Sequence, residues 1–129
     1  MKRLLFLMCV LSIASCNQSV KNQTKIISPN EVIELMKHEN MQIIDVRTPK
    51  EYNEGFIEGA KNIDFYSSTF SSEIETLDKQ KPILVYCKKG GRSAKSVKKM
   101  EAIGFTEIYD LEGGITKWKL KGNPIKTEH

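Results

Sequence analysis

Along most of the chain, short apolar runs alternate with stretches in which apolar residues recur every three or four positions. The runs are rich in β-branched residues and predict strands at 41–46, 61–65, 82–86 and 106–111. The helical spacing predicts helices at 29–39, 49–54, 70–79, 93–103 and 115–120. Strands and helices that alternate in this way predict parallel βαβ units, with helices on both faces of one sheet.

Two of the predicted helices begin with the same local signal. Ser28 and Thr48 each precede a proline at the first helical position and a glutamate three residues after the cap, Glu31 and Glu51 respectively. In such a capping box the hydroxyl accepts a backbone hydrogen bond at the helix start, and the glutamate accepts one from the cap residue. The sequence therefore specifies where both helices begin.

The predicted helix at 93–103 has an apolar side and a basic side. The apolar side is expected to pack on the sheet and holds Ala94, Val97, Met100 and Ile103. The basic side holds Lys95, Lys98 and Lys99, and a solvated helix face is the simplest interpretation of these three lysines.

Composition limits the range of functions. With 129 residues, 40% hydrophobic and 28% charged, the chain has the size and content of one soluble domain. The formal net charge of +4 falls to 4 − 2 = +2 without Lys2 and Arg3. A balance this small does not favour nucleic-acid binding, and no nucleic-acid partner is expected.

The first sixteen positions, MKRLLFLMCVLSIASC, have the layout of a secretory signal. The apolar stretch at 4–13 is shorter than the ~20 residues that a membrane-spanning helix needs. Residues 13–16 resemble the bacterial lipobox, in which the cysteine, here Cys16, is lipid-modified and becomes the new N-terminus. Residues 1–15 are thus expected to be removed and 16–27 to form a lipid-anchored polar tether in the cell envelope, facing the periplasm. A plain cleaved signal, followed by a frayed terminus, remains the alternative.

The cysteine count isolates one thiol. Of the three cysteines, Cys9 lies in the signal and Cys16 is the expected lipid site, so only Cys87 remains in the mature domain. A disulfide within the mature domain is then impossible. An exported protein with a single unpaired thiol either buries it as an inert side chain or uses it as a reactive one.

The residues around Cys87, VYCKKGGRSA, favour the reactive interpretation. Cys87 ends the predicted strand at 82–86, and ligands of parallel α/β sheets bind beyond the carboxyl ends of the strands. Gly90 and Gly91 permit positive φ and a close approach of backbone N–H groups. The following helix adds a partial positive charge at its N-terminus, and both features favour a thiolate.

Polar side chains complete this loop. Arg92 carries a planar fork suited to a polyoxyanion or a terminal sulfur charge, and Ser93 either caps the helix or donates to the site. Lys88 and Lys89 are placed to steer anions towards the loop. Elsewhere, a structural role is favoured over a catalytic one for the charged residues Asp45, Arg47 and Glu51. Gly113 and Gly114 are expected to form a tight turn, and Trp118 is expected to anchor the last helix in the core.

Three motifs resemble those of single-domain rhodaneses, which are sulfurtransferases. They are DVRTPKEYNEGFIEGAKNI at 45–63, the loop VYCKKGGRSA at 85–94, and LEGGITKW at 111–118. One departure is Phe56, which stands where that family usually has histidine, and altered packing without loss of chemistry is expected there. The resemblance implies a rhodanese-like domain at 28–125, with a three-layer α/β fold and a mostly parallel sheet of about five strands between helices.

The resemblance also implies a mechanism. Cys87 would attack the outer sulfur of thiosulfate, a polysulfide or a persulfide, hold it as a persulfide, and pass it to a thiol or another sulfur acceptor. Lys88, Lys89, Gly90, Gly91, Arg92 and Ser93 would bind the substrate. No cofactor or metal is expected, because His38 and His129 are isolated and no cluster has metal-ligand spacing. The chain is expected to act as a monomer.

Two other functions remain open. Phosphatases and arsenate reductases of related architecture use Cys-x5-Arg, whereas Cys87 and Arg92 form Cys-x4-Arg, which favours a tighter cradle suited to sulfur. Alternatively, a membrane-anchored domain would carry or bind sulfur with little turnover.

Overall fold

The structure is a computed structural model that describes residues 22–128. In this part of the chain, strands and helices follow one another in the order β1 (Gln23–Ile27), α1 (Pro29–His38), β2 (Gln42–Asp45), α2 (Pro49–Asn53), β3 (Ala60–Asn62), α3 (Phe70–Glu75), β4 (Ile83–Tyr86), α4 (Gly91–Ala102), β5 (Glu107–Leu111) and α5 (Gly114–Leu120).

The five strands form one sheet in the order β1-β5-β4-β2-β3, and every neighbouring pair is parallel. One core lies between the sheet and helices α1 and α5, which contribute Val32, Ile115 and Trp118. The second lies on the other face, where α3 and α4 contribute Ile74, Val97 and Met100. The expected α/β architecture with helices on both faces is confirmed.

Strand β4 lies in the middle of the sheet and alternates between the two cores. Leu84 and Tyr86 belong to the core under α1 and α5. Val85 and Cys87 belong to the core under α3 and α4. Because side chains along a strand point to opposite faces in turn, Cys87 lies on the face that α4 covers, at the carboxyl end of the strand.

Strand β1 corrects the sequence prediction for 16–27. Its residues were expected to form a tether, but Gln23–Ile27 pairs in parallel with β5, and the amide of Gln23 donates to Thr106 O over 2.8 Å. Four of its five residues are exposed and only Ile27 is buried, so this edge strand carries almost no apolar pattern. The rest of the predicted tether, at 16–21, lies outside the described residues.

Helix α4 also differs from its prediction. It begins at Gly91 rather than 93, Ala94 is exposed, and its buried residues are Ser93, Ser96, Val97 and Met100. The two serines are tolerated in the core because each hydroxyl bonds locally: Ser93 donates to Gly90 O (3.2 Å) and Ser96 to Arg92 O (2.8 Å). The buried face of α4 therefore includes two serines, although the pattern of the sequence predicted only apolar residues there.

Both predicted capping boxes are confirmed. At α1 the amide of Glu31 donates to Ser28 Oγ (3.2 Å), while the amide of Ser28 donates to Glu31 Oε2 (3.0 Å). Thr48 and Glu51 make the same pair of bonds at α2. In the part of the chain that the structure describes, no helix is both long and apolar enough to cross a membrane.

The geometry agrees with a structural role for Asp45 and Arg47. Both are buried, and Arg47 Nη2 lies 2.6 Å from Asp45 Oδ2 and 2.7 Å from the carbonyl oxygen of Gly55. The side chain of Asn62 donates to the carbonyls of both residues. This cluster ties the end of β2 to the segment after α2. Glu51, the third residue of the predicted group, has a different partner.

Candidate active site in the loop after strand β4

Cys87 lies at the base of a pocket at the carboxyl edge of the sheet. Its side chain is 1% exposed. The amide of Gly90 donates to Sγ over 3.1 Å, and the thiol donates to Ser93 Oγ over 3.5 Å. The pocket has a volume of about 310 Å³ and is lined by Tyr66, Cys87, Lys88, Lys89, Gly91, Arg92 and Lys95.

Gly90 shapes the loop at the start of α4. Its φ of 122° is a conformation that side-chain-bearing residues rarely adopt. Gly91 was expected to share this freedom but is the first helical residue, without a positive φ. Unlike α1 and α2, α4 has no side-chain cap, so no side chain competes for the first amides of this helix.

Helix α5 fixes the orientation of the loop peptides. The amide of Ile115 donates to the carbonyl of Cys87 (2.9 Å), and that of Thr116 to the carbonyl of Lys88 (3.1 Å). In a trans peptide the C=O and the next N–H point in opposite directions, so the amides of Lys88 and Lys89 point away from α5. Since α5 and the Cys87 side chain lie on opposite faces of the sheet, these amides point to the thiol's side.

Gly114 allows α5 to approach this closely. A Cβ atom on Gly114 would lie 2.5 Å from both the Cys87 and the Lys88 carbonyl oxygens. The sequence predicted only a tight turn at Gly113 and Gly114. The contact with the loop could not be found from sequence, because a turn already explains two adjacent glycines.

Arg92 lines the pocket, but its guanidinium is paired. Nη1 and Nη2 donate to the two carboxylate oxygens of Glu51 over 2.7 and 2.9 Å. Hydrogen bonds from Arg92, and further ones from Thr48, lower the pKa of Glu51 to about 2, although burial opposes the shift. The same ion pair raises the pKa of Arg92. The Arg92 guanidinium, which the sequence predicted to bind a ligand, is therefore paired with the Glu51 carboxylate.

Two acidic residues bond to or lie near residues of the Cys87 loop, although the sequence favoured a structural role for Glu51 and did not single out Asp110. Glu51 serves the capping box of α2, which fully explains a glutamate at this position, and it also holds Arg92. Asp110, near the end of β5, is 6% exposed, and its Oδ1 has no hydrogen-bond partner among the described residues. Burial raises the pKa of Asp110, and the nearby Ser93 hydroxyl partly offsets the effect.

The lysines that follow Cys87 in the loop and in α4 differ in their surroundings. Lys88, Lys89 and Lys95 line the pocket, are exposed, and form no ion pair with residues that the structure describes. Lys99 lies farther along α4, where its ammonium group is 5.0 Å from the ring centroid of Phe65. Within 22–128, no group of three or more His, Cys, Asp or Glu side chains is placed to hold a metal ion.

Substituting Glu51 tests the ion pair with Arg92. We expect Glu51→Gln to lower the free energy of unfolding by about 1 kcal/mol at neutral pH, since the pair is partly screened by solvent. Because the folded pKa lies below the ordinary 4.5, the contribution of the carboxylate is present above pH 4.5 and is lost as pH falls towards about 2. Urea unfolding at several pH values measures this: the free energies of unfolding of the wild type and of Glu51→Gln should become equal as pH falls towards about 2. The exposed Glu54→Gln is the matched control, and curves that stay parallel would contradict the assignment.

In this fold a buried cysteine follows the central strand of a parallel sheet, and the amides of the next loop point to the side of its sulfur. These features define an α/β protein whose candidate site is a loop built around one cysteine. The family model for the rhodanese-like domain matches residues 28–121. The chain belongs to the rhodanese-like domain family, and the resemblance of its three motifs is confirmed.

Individual relatives agree with this assignment. The chain is similar to the thiosulfate sulfurtransferase GlpE of Coxiella burnetii, with 37% identity over 95 residues, which are 74% of this chain and 87% of that protein. It is also 38% identical to the uncharacterized protein YqhL of Bacillus subtilis over 87 residues, 67% of this chain and 65% of that protein. Among solved structures, a rhodanese-related protein of Thermoplasma volcanium superimposes with a TM-score of 0.72 at 32% identity, covering 81% of this chain and 99% of that one.

Phe56, the departure from the family pattern, lies away from the pocket. It is buried and stacks on Tyr52 with ring centroids 4.3 Å apart. Its backbone pairs with Lys126 in an antiparallel bridge. The ring therefore packs against α2 while the backbone holds the segment at Lys126, and Phe56 does not line the Cys87 pocket.

Proposed function

We propose that this protein is a sulfurtransferase that moves sulfane sulfur from a donor such as thiosulfate, a polysulfide or a persulfide to a thiophilic acceptor through a persulfide on Cys87. The observation that carries the proposal is the position of Cys87 Sγ, which accepts the Gly90 N–H at the base of a basic pocket. Cys87 is also a free thiol. Membership of the rhodanese-like family supports this chemistry.

The proposed reaction has two displacements. The Cys87 thiol gives its proton to solvent, and the thiolate attacks the outer sulfur of thiosulfate. The S–S bond of the donor breaks, sulfite leaves with its electron pair, and Cys87 carries the sulfur as a persulfide. An acceptor thiolate then attacks the terminal sulfur, forms its own persulfide, and releases the Cys87 thiolate. The two steps balance without an external oxidant or reductant.

The loop backbone supports these steps. The amides that point to the thiol's side place partial positive charge where negative charge develops on the sulfur. They are held in place before substrate binds because α5 bonds the opposing carbonyls. Lys88, Lys89 and Lys95 raise the local concentration of anionic donors at the mouth of the pocket.

Intact-mass measurement tests the function directly. The protein is expected to gain the mass of one sulfur atom with thiosulfate or a polysulfide, and to lose it again when a thiol is added. Loading without release would favour the sulfur-carrier alternative. Failure to gain sulfur from any donor in the panel would contradict the sulfurtransferase.

We also propose that the protein is lipid-anchored through Cys16 in the bacterial cell envelope. The lipobox-like residues at 13–16 support this, and only residues 17–22, at most about 20 Å when extended, separate Cys16 from β1. Because β1 and β4 point the same way in the sheet, β1 begins at the edge opposite the Cys87 pocket. An anchor there would leave the pocket towards the aqueous phase.

Membrane fractionation tests the anchor. Cys16→Ala is expected to move the protein from the membrane fraction to the soluble fraction, since the acyl chains provide the attachment. Cys9→Ala is the matched control, because it removes a cysteine from the signal without touching the lipid site, and it should remain membrane-bound. Unchanged fractionation of Cys16→Ala protein from which residues 1–15 have been removed would rule out the anchor.

A further inference from the structure

The positive charge that a ligand can reach in the Cys87 pocket comes from lysines rather than from Arg92. Each terminal nitrogen of Arg92 donates to a carboxylate oxygen of Glu51, and the Arg92 side chain is 16% exposed. Lys88, Lys89 and Lys95 line the same pocket, and the described part of the chain supplies no carboxylate partner for them. The cationic rim is therefore unneutralised.

The pocket is larger than the transferred atom requires. A water molecule occupies about 30 Å³ in the liquid, so a space of about 310 Å³ exceeds the needs of one sulfur atom several-fold. Cys87 is 1% exposed at its base, so an acceptor has to insert its thiol past the rim. A small molecule fits this geometry better than a cysteine on a folded protein surface.

Tyr66 gives the rim an apolar side. Its side chain is 68% exposed, and its ring centroid lies 5.8 Å from the guanidinium carbon of Arg92. An exposed aromatic ring beside lysines offers a flat contact for a carbon skeleton and cations for carboxylates attached to it. The rim thus combines the two kinds of contact that a small organic anion can use.

We infer that the sulfur acceptor is a low-molecular-weight thiol that carries carboxylate groups, selected by Lys88, Lys89 and Lys95 at the rim of the Cys87 pocket. The inference rests on the proposed function and names the acceptor class for its second displacement. The lysines pair with the acceptor carboxylates while its thiolate attacks the terminal sulfur of the persulfide. A cationic thiol is disfavoured because it meets like charge at the rim.

The test measures sulfur release alone. Wild-type protein is loaded with thiosulfate, freed of excess donor, and mixed with glutathione, which is anionic, with 2-mercaptoethanol, which is neutral, or with cysteamine, which is cationic. The same rates are measured for the triple variant Lys88→Gln, Lys89→Gln, Lys95→Gln. Comparing the two proteins with one thiol at a time cancels the intrinsic nucleophilicity of that thiol.

The expected results differ in size between thiols, because each attacks as a thiolate and only glutathione adds carboxylate charge. At low salt the triple variant should slow release to glutathione about tenfold, release to 2-mercaptoethanol less, and release to cysteamine least. The effect on glutathione should shrink as salt rises. A second triple variant, Lys50→Gln, Lys61→Gln, Lys121→Gln, changes net charge equally at exposed lysines outside the pocket and should release sulfur like wild type.

Two outcomes separate this inference from the proposed function. Loaded protein whose release rates change equally for all three thiols, or do not change at all, would overturn the selection of anionic thiols and leave the sulfurtransferase intact. Wild-type protein that never loads sulfur would contradict the sulfurtransferase and the acceptor class together.

Discussion

Replacing Cys87 with serine is expected to abolish sulfur loading and turnover while the protein stays folded. An alkoxide oxygen cannot hold the transferred sulfur as a stable persulfide, so the two-step route is lost, and the rate should fall by at least about 1000-fold. The substitution is nearly isosteric, and the serine hydroxyl can accept from the Gly90 amide as Sγ does. Intact mass after donor treatment measures loading, and thermal unfolding checks the fold.

The comparison with Ser93→Ala sharpens this result. Ser93 Oγ lies 3.5 Å from Cys87 Sγ, so its loss should slow loading but leave the mass gain intact. Cys87→Ser should show no gain at any time. Sulfur that still loads onto Cys87→Ser, and that peptide mapping locates elsewhere in the chain, would contradict the role of Cys87.

The sequence predicted the fold where buried side chains dominate. Strand β4 is a continuous apolar run because all four of its residues are buried, and helices α1 and α2 begin at the predicted caps because their capping bonds are local. Strand β1 escaped prediction for the opposite reason. It is held by main-chain pairing with β5, which no side-chain pattern encodes, and it leaves Ile26 70% exposed.

The site divides in the same way. The structure brings Cys87, Gly90 and Ser93 together, and their proximity could be predicted because the loop is continuous in sequence. The pair between Glu51 and Arg92 joins residues 41 positions apart, and a capping box already accounted for the glutamate. The contact of Gly114 with the loop likewise depends on how α5 packs beneath it. Contacts between distant segments stay hidden when each residue has a sufficient local explanation.

Introducing a methyl group at Gly114 is expected to disable the loop without touching Cys87. The Cβ of Gly114→Ala would lie 2.5 Å from the carbonyl oxygens of Cys87 and Lys88, so α5 and the loop must separate. The bonds from Ile115 and Thr116 to these carbonyls would lengthen, and the opposing amides would turn away from the sulfur. A displacement of about 1 Å at reacting groups can cost about 100-fold, and we expect a loss of that size in the rate of sulfur loading.

Gly122→Ala separates this contact from backbone strain. Gly122 has a φ of +78°, comparable with +58° at Gly114, but nothing lies within 4 Å of its Cβ position. In both variants an alanine in the left-handed conformation should lower the free energy of unfolding by about 1 kcal/mol, which thermal unfolding can measure. Only Gly114→Ala should lose loading rate when both are assayed well below their unfolding temperatures. Equal losses in the two variants, or full activity in folded Gly114→Ala, would show that the α5 contact does not position the loop, and the orientation of its amides would then need another cause.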